Sequence, residues 1–344
     1  MKKYVILLAV AVSSLLGYGQ MNQVVWLNGR AVVAQSISQI DSLKYGEIEG
    51  GDTLHLVLPR VVVVHDTVVK TVYVNYCVEE DALKGGFSVA ADKQVRFSKG
   101  NLQYVQSTKT WGFAEHQYDM IGSGNITTNA SGENVLADTI DLFGWSSDNT
   151  AVSYGVSSSS SSSEYDGTFV DWGNNIGDGN TWRTLSNDEW YYLFHTRTNA
   201  EKLIGLASVN GINGLVLLPD TWTCPTGIQF TSCTDGGYEW DNSYDEYHRH
   251  TDNMSSGDDT STSPYLTNSY TLDEWSKMEA AGAVFLPAAG ARYGLRWMSA
   301  GEYWASTKFN TNTGGSIIYG SSSIGPRSNR LMLWGLSVRL VQEL

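Results

Sequence analysis

Two helix-start signatures place the helices of this chain. Ser186 is followed three residues later by Glu189, and Thr271 is followed three residues later by Glu274. In such a capping box the hydroxyl accepts a free backbone N–H, and the carboxylate reaches back to the capping residue. Apolar residues at helical spacing follow the two boxes: Trp190, Leu193 and Phe194, then Trp275, Met278 and Ala281. The sequence therefore predicts two amphipathic helices packed on a core.

Short apolar segments and a turn-rich composition predict the rest of the fold. GLVLLP at 214–219 and AVFLPAAG at 283–290 follow the two helices and have the length of buried strands. From Phe87 onward the sequence is rich in Gly, Asn, Ser and Trp, and only 17% of the chain is charged. We therefore predict an α+β fold with few helices and many short strands and loops. The serine run at 157–163 and the polar stretch at 241–264 are predicted loops.

The first residues predict export. Residues 1–20 combine Lys2 and Lys3 with an apolar run and a small-residue end, which is the pattern of a secretory signal peptide. The apolar run is shorter than the roughly 20 residues that a membrane helix needs, and no later stretch comes near that length. We expect a secreted, periplasmic or cell-surface protein with no membrane insertion.

Two further segments precede the main domain. Residues 21–49 alternate apolar and polar residues around an Asn28-Gly29 pair, which predicts a small β-hairpin-like segment. Residues 50–85 are rich in Val and Thr, and we interpret them as an extended linker or stalk; pairing with residues 24–45 is the alternative. Residues 86–344 then form one large domain.

Charge excludes one class of partner. Lys and Arg number 22 against 36 Asp and Glu, so the formal net charge is −14. Nucleic acid and anionic lipid surfaces both require cations that neutralise phosphate. The sequence therefore predicts no nucleic-acid partner.

The three cysteines allow two interpretations. Cys224 and Cys233 flank PTGIQFTS, and a turn at 225–227 would bring them within disulfide distance in an oxidising compartment. The spacing is equally compatible with two free thiols. Cys77 has no second cysteine near it in the sequence, so we expect it to be inert or to form an intermolecular bridge.

Sequence motifs for other chemistry are sparse. His248 and His250 lie beside Asp245 and Glu246, so a metal site is conceivable, but such a pair on an acidic loop is more often solvated surface. His116 lies among apolar residues and is predicted to be a hydrogen-bonded core histidine. No Gly-x-Ser-x-Gly elbow is present. We expect no metal and no cofactor.

Several segments resemble a known superfamily. NTWRTLSNDEWYYLFHTR at 180–197 is similar to the part of formylglycine-generating, sulfatase-modifying proteins in which an Arg-containing turn leads into a capped helix. YWAST at 303–307 and WGLSVRLV at 334–341 resemble the last strands of that superfamily, which is related to the C-type lectin fold. From FSVAADKQVRFSKGNLQY onward, the chain looks like exported Bacteroidetes proteins with this domain. Some relatives of the fold are targets of diversity-generating retroelements.

The resemblance implies a scaffold without the family's chemistry. Formylglycine-generating enzymes bind copper through a cysteine pair in the C-terminal part, because thiolate is the ligand and redox group that the oxidation needs. This chain has no cysteine after Cys233. We therefore expect a noncatalytic protein. The alternative is an exported enzyme that uses an unrecognised site on the same fold.

A lectin-like fold implies a binding face in the C-terminal quarter. Aromatic rings stack on sugars or fill protein pockets, and Arg and Asn supply directional hydrogen bonds. The candidate ligand-binding residues are Arg292, Tyr293, Arg296, Trp297, Tyr303, Lys308, Tyr319, Arg327, Asn329 and Trp334. Trp304 is assigned to the core. The sequence thus predicts an adhesin-like protein that binds an extracellular protein or glycan.

Overall fold

A computed structural model describes residues 22–27, 30–36, 81–147, 168–177, 181–249 and 264–344. The chain divides into two compact units, Met1–Glu80 and Asp81–Leu344. Within the described ranges, no helix has the length and apolar character needed to cross a membrane. The predictions that fall outside these ranges are the signal peptide, most of the 50–85 linker, the serine run, and the environments of Cys77 and His250.

The first unit contains the predicted hairpin strands. Strand β1 (Asn22–Leu27) pairs antiparallel with β2 (Arg30–Ser36). Leu27 is opposite Arg30 in the register, so the pairing is centred on the Asn28-Gly29 dipeptide as predicted.

The second unit consists mostly of short strands, with few helices, which agrees with the predicted α+β class. Its strands are β3 (Phe87–Ala90), β4 (Lys93–Phe97), β5 (Leu102–Val105), β6 (Thr110–Phe113), β7 (Ile126–Thr128), β8 (Asn134–Leu136), β9 (Thr139–Ile140), β10 (Arg183–Thr184), β11 (Ile204–Val209), β12 (Ile212–Leu217), β13 (Tyr238–Asp241), β14 (Glu246–Arg249), β15 (Ser269–Tyr270), β16 (Val284–Pro287), β17 (Ala291–Tyr293), β18 (Arg296–Met298), β19 (Gly301–Lys308), β20 (Thr313–Tyr319), β21 (Ser323–Leu331) and β22 (Leu340–Glu343). The α-helices are α1 (Asn187–Tyr191) and α2 (Leu272–Ala280). Single turns of 3-10 helix lie at Gly122–Asn125, Trp172–Asn175, Ala200–Lys202 and Pro264–Thr267.

The strands form several small sheets. The orders within the larger sheets are β10-β22-β4-β3, β15-β11-β12-β16 and β13-β14-β21-β20-β19. β22, the last strand, lies between β10 and β4, so the two ends of the unit meet in one sheet. β17 and β18 form a separate two-stranded ribbon. The stretch predicted as a loop from 241 instead contributes to the β13–β14 hairpin, and its remainder after 249 lies outside the described residues.

Both predicted capping boxes are present. The Ser186 and Thr271 hydroxyls accept the backbone N–H groups of Glu189 and Glu274, and each carboxylate accepts the N–H of its capping residue. A π-helical turn continues α1 over Tyr192–Thr196. The large residues of the predicted apolar faces are buried in the core, namely Trp190, Leu193, Phe194, Trp275 and Met278, whereas Ala281 is half-buried.

Strand β19, at the end of the five-stranded sheet, is covered on both faces. Tyr303 packs in the apolar cluster that includes Trp190, whereas its neighbour Trp304 packs in the cluster that includes Trp145. Successive side chains of a strand point to opposite faces, so both layers need apolar residues here. The assignment of Trp304 to the core is confirmed, and its Nε1 donates to the Phe143 carbonyl at 2.5 Å.

The second unit begins five residues before the predicted boundary at Gly86, at Asp81. Ala82 bridges Ser98, and the Leu83 N–H donates to the Phe97 carbonyl at 2.7 Å. These bonds extend the β3–β4 sheet into a segment that the sequence assigned to the linker.

The predicted Cys224–Cys233 disulfide is wrong for this structure, because both thiols are free. Cys224 is exposed and lies next to the Ile228 carbonyl, whereas Cys233 is buried and its Sγ lies 3.4 Å from the Glu201 carbonyl. Burial raises the pKa of the Cys233 thiol to about 12. The Cys233 backbone pairs with Ile204, which draws this residue towards β11.

A buried ion pair joins distant segments of the core. Arg197 follows the π-helical turn, its side chain is 1% exposed, and its Nη1 lies 3.0 Å from Asp220 Oδ1. The other oxygen of Asp220 accepts the N–H and hydroxyl of Ser88 on β3. Burial lowers the pKa of Arg197 to about 10, so the guanidinium remains charged at neutral pH. Asp220 therefore links strand β3 to the region after helix α1.

Candidate functional site

The β17–β18 ribbon presents the side chains that were predicted to bind ligand. Gly294 and Leu295 connect the two strands. Gly294 has a φ of 58°, a backbone conformation that glycine adopts more readily than any residue with a side chain. At the base of the ribbon the Trp297 Nε1 donates to the Ala289 carbonyl at 2.9 Å. Gly290 has a φ of 93°, and a Cβ at this position would contact the Trp297 ring and lie 2.5 Å from the Met298 carbonyl oxygen. Gly290 therefore leaves room for Trp297.

One strand of the ribbon is attached to the domain and the other is exposed. Arg292 of β17 exchanges two backbone hydrogen bonds with Gly335, at 2.8 and 2.7 Å. β18 pairs only with β17 among the described residues. Its three residues are all exposed; the exposed fraction is 36% for Trp297 and 39% for Met298.

Trp334 extends the exposed ribbon on the tyrosine side. Its ring centroid lies 5.5 Å from that of Tyr293, which is opposite Arg296 in the register. Tyr293 and Trp334 are both half-buried. We call the set of Tyr293, Arg296, Trp297, Met298 and Trp334 the ribbon surface.

Arg296 of the ribbon surface and the neighbouring Arg330 differ in whether the guanidinium charge has an ionic partner. Arg330 lies 5.6 Å from the Trp334 ring centroid, and its guanidinium is paired with Glu302, with Nη2–Oε1 at 3.0 Å and Nε–Oε2 at 2.7 Å. Glu302 is buried, so this pair neutralises both charges. By contrast, no hydrogen bond or ion pair joins the Arg296 side chain to the described part of the chain. Arg296 is therefore the cation that the ribbon surface offers to a ligand.

A buried carboxylate fixes the turn that lies against β18. Asp141 accepts the Ile121 N–H at 2.7 Å and the Asn125 Nδ2 at 2.6 Å, and the Asn125 Oδ1 accepts the Asp141 N–H in return. Burial raises the pKa of Asp141 to about 6, although these hydrogen bonds oppose the shift. The turn Gly122–Asn125 packs against β18 and follows the exposed Met120.

Three predicted binding residues are buried, and their assignment to the surface is wrong. Arg292 is 1% exposed because its side chain lies over Gly335 and its Nη1 donates to the Gly294 carbonyl; burial lowers its pKa to about 10. Tyr303 and Tyr319 stack in the core, and their hydroxyls donate to the carbonyls of Pro287 and Leu286. Buried phenols are satisfied in this way, so these rings fill the core.

The remaining predicted residues lie on β19 and β21, outside the β17–β18 ribbon. Lys308 is exposed at the end of β19. Arg327 donates to Asp188 at 2.7 Å and lies 3.9 Å from the Tyr191 ring centroid. Asn329 is half-buried opposite Gly315. The structure thus brings together four of the predicted residues: Tyr293, Arg296, Trp297 and Trp334.

The sequence analysis did not select Met298, Met120 or Arg330. Met298 lies in the same short Arg-Trp-Met strand as two selected residues. A prediction of a three-residue strand between Gly294 and Gly301 would therefore have selected Met298 as well. Met120 is distant in sequence and has no local signal. A Cβ on Gly122 would lie 4.0 Å from Met120 Cε and 3.4 Å from the Ala289 oxygen, so Met120 and Ala289 both lie close to the turn at Gly122.

The histidines do not form a metal centre in the described ranges. No group of three or more His, Cys, Asp or Glu residues there is placed to hold a metal ion. His248 lies beside Glu246, and both belong to β14. His116 is half-exposed, with its Nδ1 3.0 Å from Asp119 Oδ2, so the prediction of a core histidine is wrong although the predicted hydrogen bond exists.

Comparisons with protein-family models, curated proteins and solved structures gave no match to this chain.

Proposed function

We propose that this chain is a noncatalytic, exported ligand-binding protein that recognises a protein or glycan through the ribbon surface. The observation that carries the proposal is the exposed β18 strand, which places the unpaired Arg296 beside Trp297 and Met298. Aromatic residues and arginine are the side chains that dominate binding energy at recognition surfaces. A ribbon anchored through Gly335 holds them in a fixed arrangement before the ligand arrives.

The proposed fold is a C-type lectin-like domain of the sulfatase-modifying type. Two features support it. The capped helix α1 lies in the segment 180–197 that resembles that superfamily. The resembling terminal segment contributes the buried Leu336 and Val338 and the last strand β22, which pairs with β4.

Two properties of the cysteines support a noncatalytic role. The last cysteine in the chain is Cys233, whereas the enzymes of the resembling family use a C-terminal pair. The raised pKa of Cys233 also keeps its thiol protonated at neutral pH, and the thiolate is the reactive form.

The proposal is tested by removing the ribbon surface without unfolding the domain. A variant with Arg296→Ala, Trp297→Ala and Trp334→Ala is compared with wild type in glycan-array and cell-surface binding assays. Tyr244→Ala is the matched control, because Tyr244 is 67% exposed on the β13–β14 turn and belongs to a different sheet. We expect the triple variant to lose binding and the control to retain it.

Melting curves separate a lost surface from a lost fold. Exposed side chains usually contribute less than about 0.5 kcal/mol each, but Trp334 is half-buried, so a loss of about 1–2 kcal/mol is expected for the triple variant. Wild-type affinity in a folded triple variant would refute the proposed site.

A further inference from the structure

β18 pairs with no strand other than β17 among the described residues, so its outer edge has backbone groups without a strand partner. Both backbone hydrogen-bonding groups of Arg292 are used by Gly335, so they point away from β18. Arg292 is opposite Trp297. In an antiparallel ribbon, the backbone groups of two opposite residues either bond to each other or both point away from each other. The N–H and C=O of Trp297 therefore point outward from β17, and neither bonds to the described part of the chain. Such groups are a template for another strand.

The side chains on the two faces of β18 differ in chemistry. Arg296 and Met298 share one face with Tyr293, because residues two apart on a strand point the same way. Trp297 lies on the opposite face, which it shares with the buried Arg292, its partner in the register. One face thus offers an exposed cation bordered by a thioether and a phenol ring, and the other offers the indole of Trp297.

We infer that the ligand of the ribbon surface is a protein segment that adds to the edge of β18 in an extended conformation and presents a carboxylate to Arg296. This inference rests on the function proposed above and identifies the partner class for that site. Strand addition satisfies the outward N–H and C=O of Trp297, and alternate side chains of the added segment contact the two faces. The carboxylate neutralises the one cation of the surface that has no partner.

The apolar border of the surface favours protein over glycan. A sugar ring on an aromatic side chain needs polar neighbours for its hydroxyl groups. Here the cation that shares the Trp297 face, Arg292, is buried, and the exposed Met298 on the other face offers only a thioether, which is at most a weak acceptor. Tyr, Trp, Met and Arg are enriched at protein interfaces, whereas Lys, Glu and Asp are depleted there.

The test uses two probes on the full mature chain. One is a displayed library of random eight-residue peptides, and the other is an array of neutral and acidic glycans. We expect the chain to select peptides in which Asp or Glu lies two residues from an apolar side chain, and to leave the glycans unbound. A synthetic copy of one selected peptide then serves as the ligand for the variants.

Two variant pairs separate the charge contact from the strand contact. Arg296→Glu should lower the affinity for the selected peptide at least tenfold. A peptide with Lys in place of its acidic residue should recover most of that lost affinity. Trp297→Ala and Trp297→Pro both lack the indole, but only the proline variant also lacks the outward N–H. Proline is tolerated on an edge strand where the N–H faces solvent, so both variants should fold. Trp297→Pro should bind at least fivefold more weakly than Trp297→Ala.

Each failure has a separate meaning. Glycan binding that depends on Arg296 would overturn the inference and leave the proposed function intact. Peptides without an acidic residue, or equal binding by the alanine and proline variants with equal melting temperatures, would also overturn it. Absence of binding to either probe would overturn both the inference and the proposed function.

Discussion

Replacing Gly290 with Ala should displace Trp297 and destabilise the domain. The φ of 93° at Gly290 costs an L residue about 1–2 kcal/mol or more. The new methyl group would also occupy the position of the Trp297 ring, so the indole must move away and lose its 2.9 Å hydrogen bond to Ala289. A lost hydrogen bond of this kind costs about 1 kcal/mol. The expected total decrease in the free energy of unfolding is about 2–3 kcal/mol.

Gly320→Ala is the matched control for this substitution. Gly320 has no atom within 4 Å of a Cβ position, and its φ lies outside the left-handed region. Urea unfolding followed by tryptophan fluorescence should show a decrease of less than about 0.5 kcal/mol for this variant. The comparison therefore isolates the crowding at Gly290 from the general effect of replacing a turn glycine.

A double variant tests the assigned cause. In Gly290→Ala/Trp297→Ala the indole is absent, so the cost of displacing it disappears, whereas the φ cost and the close approach to the Met298 oxygen remain. The loss caused by Trp297→Ala should therefore be smaller in the Gly290→Ala background than in wild type, by about 1 kcal/mol. Equal stability of Gly290→Ala and Gly320→Ala, or strict additivity in the double variant, would refute the role assigned to Gly290.

Three further predictions concern the core. Asp220→Asn should lower the free energy of unfolding by about 3–5 kcal/mol in urea titrations, because it leaves the buried Arg197 without its anion. An unchanged free energy of unfolding would contradict the ion-pair assignment. Asp141 has a folded pKa of about 6 against 3.8 in the unfolded chain, so the folded state binds more protons between these values. The contribution of Asp141 to the free energy of unfolding therefore falls by about 2 kcal/mol as pH rises from 4 to 7. Unfolding measured across that range should show the wild-type advantage over Asp141→Asn decreasing with pH, and a constant difference would refute the shift. Alkylation of the native chain should label Cys224 rapidly and Cys233 only on unfolding, whereas recovery of a linked peptide pair would restore the disulfide that the structure lacks.

Local signals in the sequence predicted the local structure correctly. The capping boxes at Ser186 and Thr271 and the Asn28-Gly29 pair depend on residues within a few positions of one another. Their hydrogen bonds form over the same short distance, so the pattern alone is sufficient. The strand class also followed from composition.

The assignment of individual binding residues required the tertiary structure. Arg292 and Arg296 are four residues apart on one ribbon, yet the first is buried over Gly335 and the second is exposed. Sequence cannot indicate that Gly335 approaches β17, because the contact joins segments far apart in the chain. Tyr303 was misassigned for a related reason: β19 is buried on both faces, so the alternation that normally separates surface from core is absent.

Backbone hydrogen exchange on the full chain, with and without a bound ligand, tests the ribbon surface most directly. Binding to β18 should slow the exchange of amides in residues 291–298. The turn around Tyr244 should be unaffected, because it belongs to a separate sheet. Protection at the ribbon with an unchanged Tyr244 turn is the predicted result. A bound ligand that leaves residues 291–298 unprotected while slowing exchange elsewhere would contradict the account.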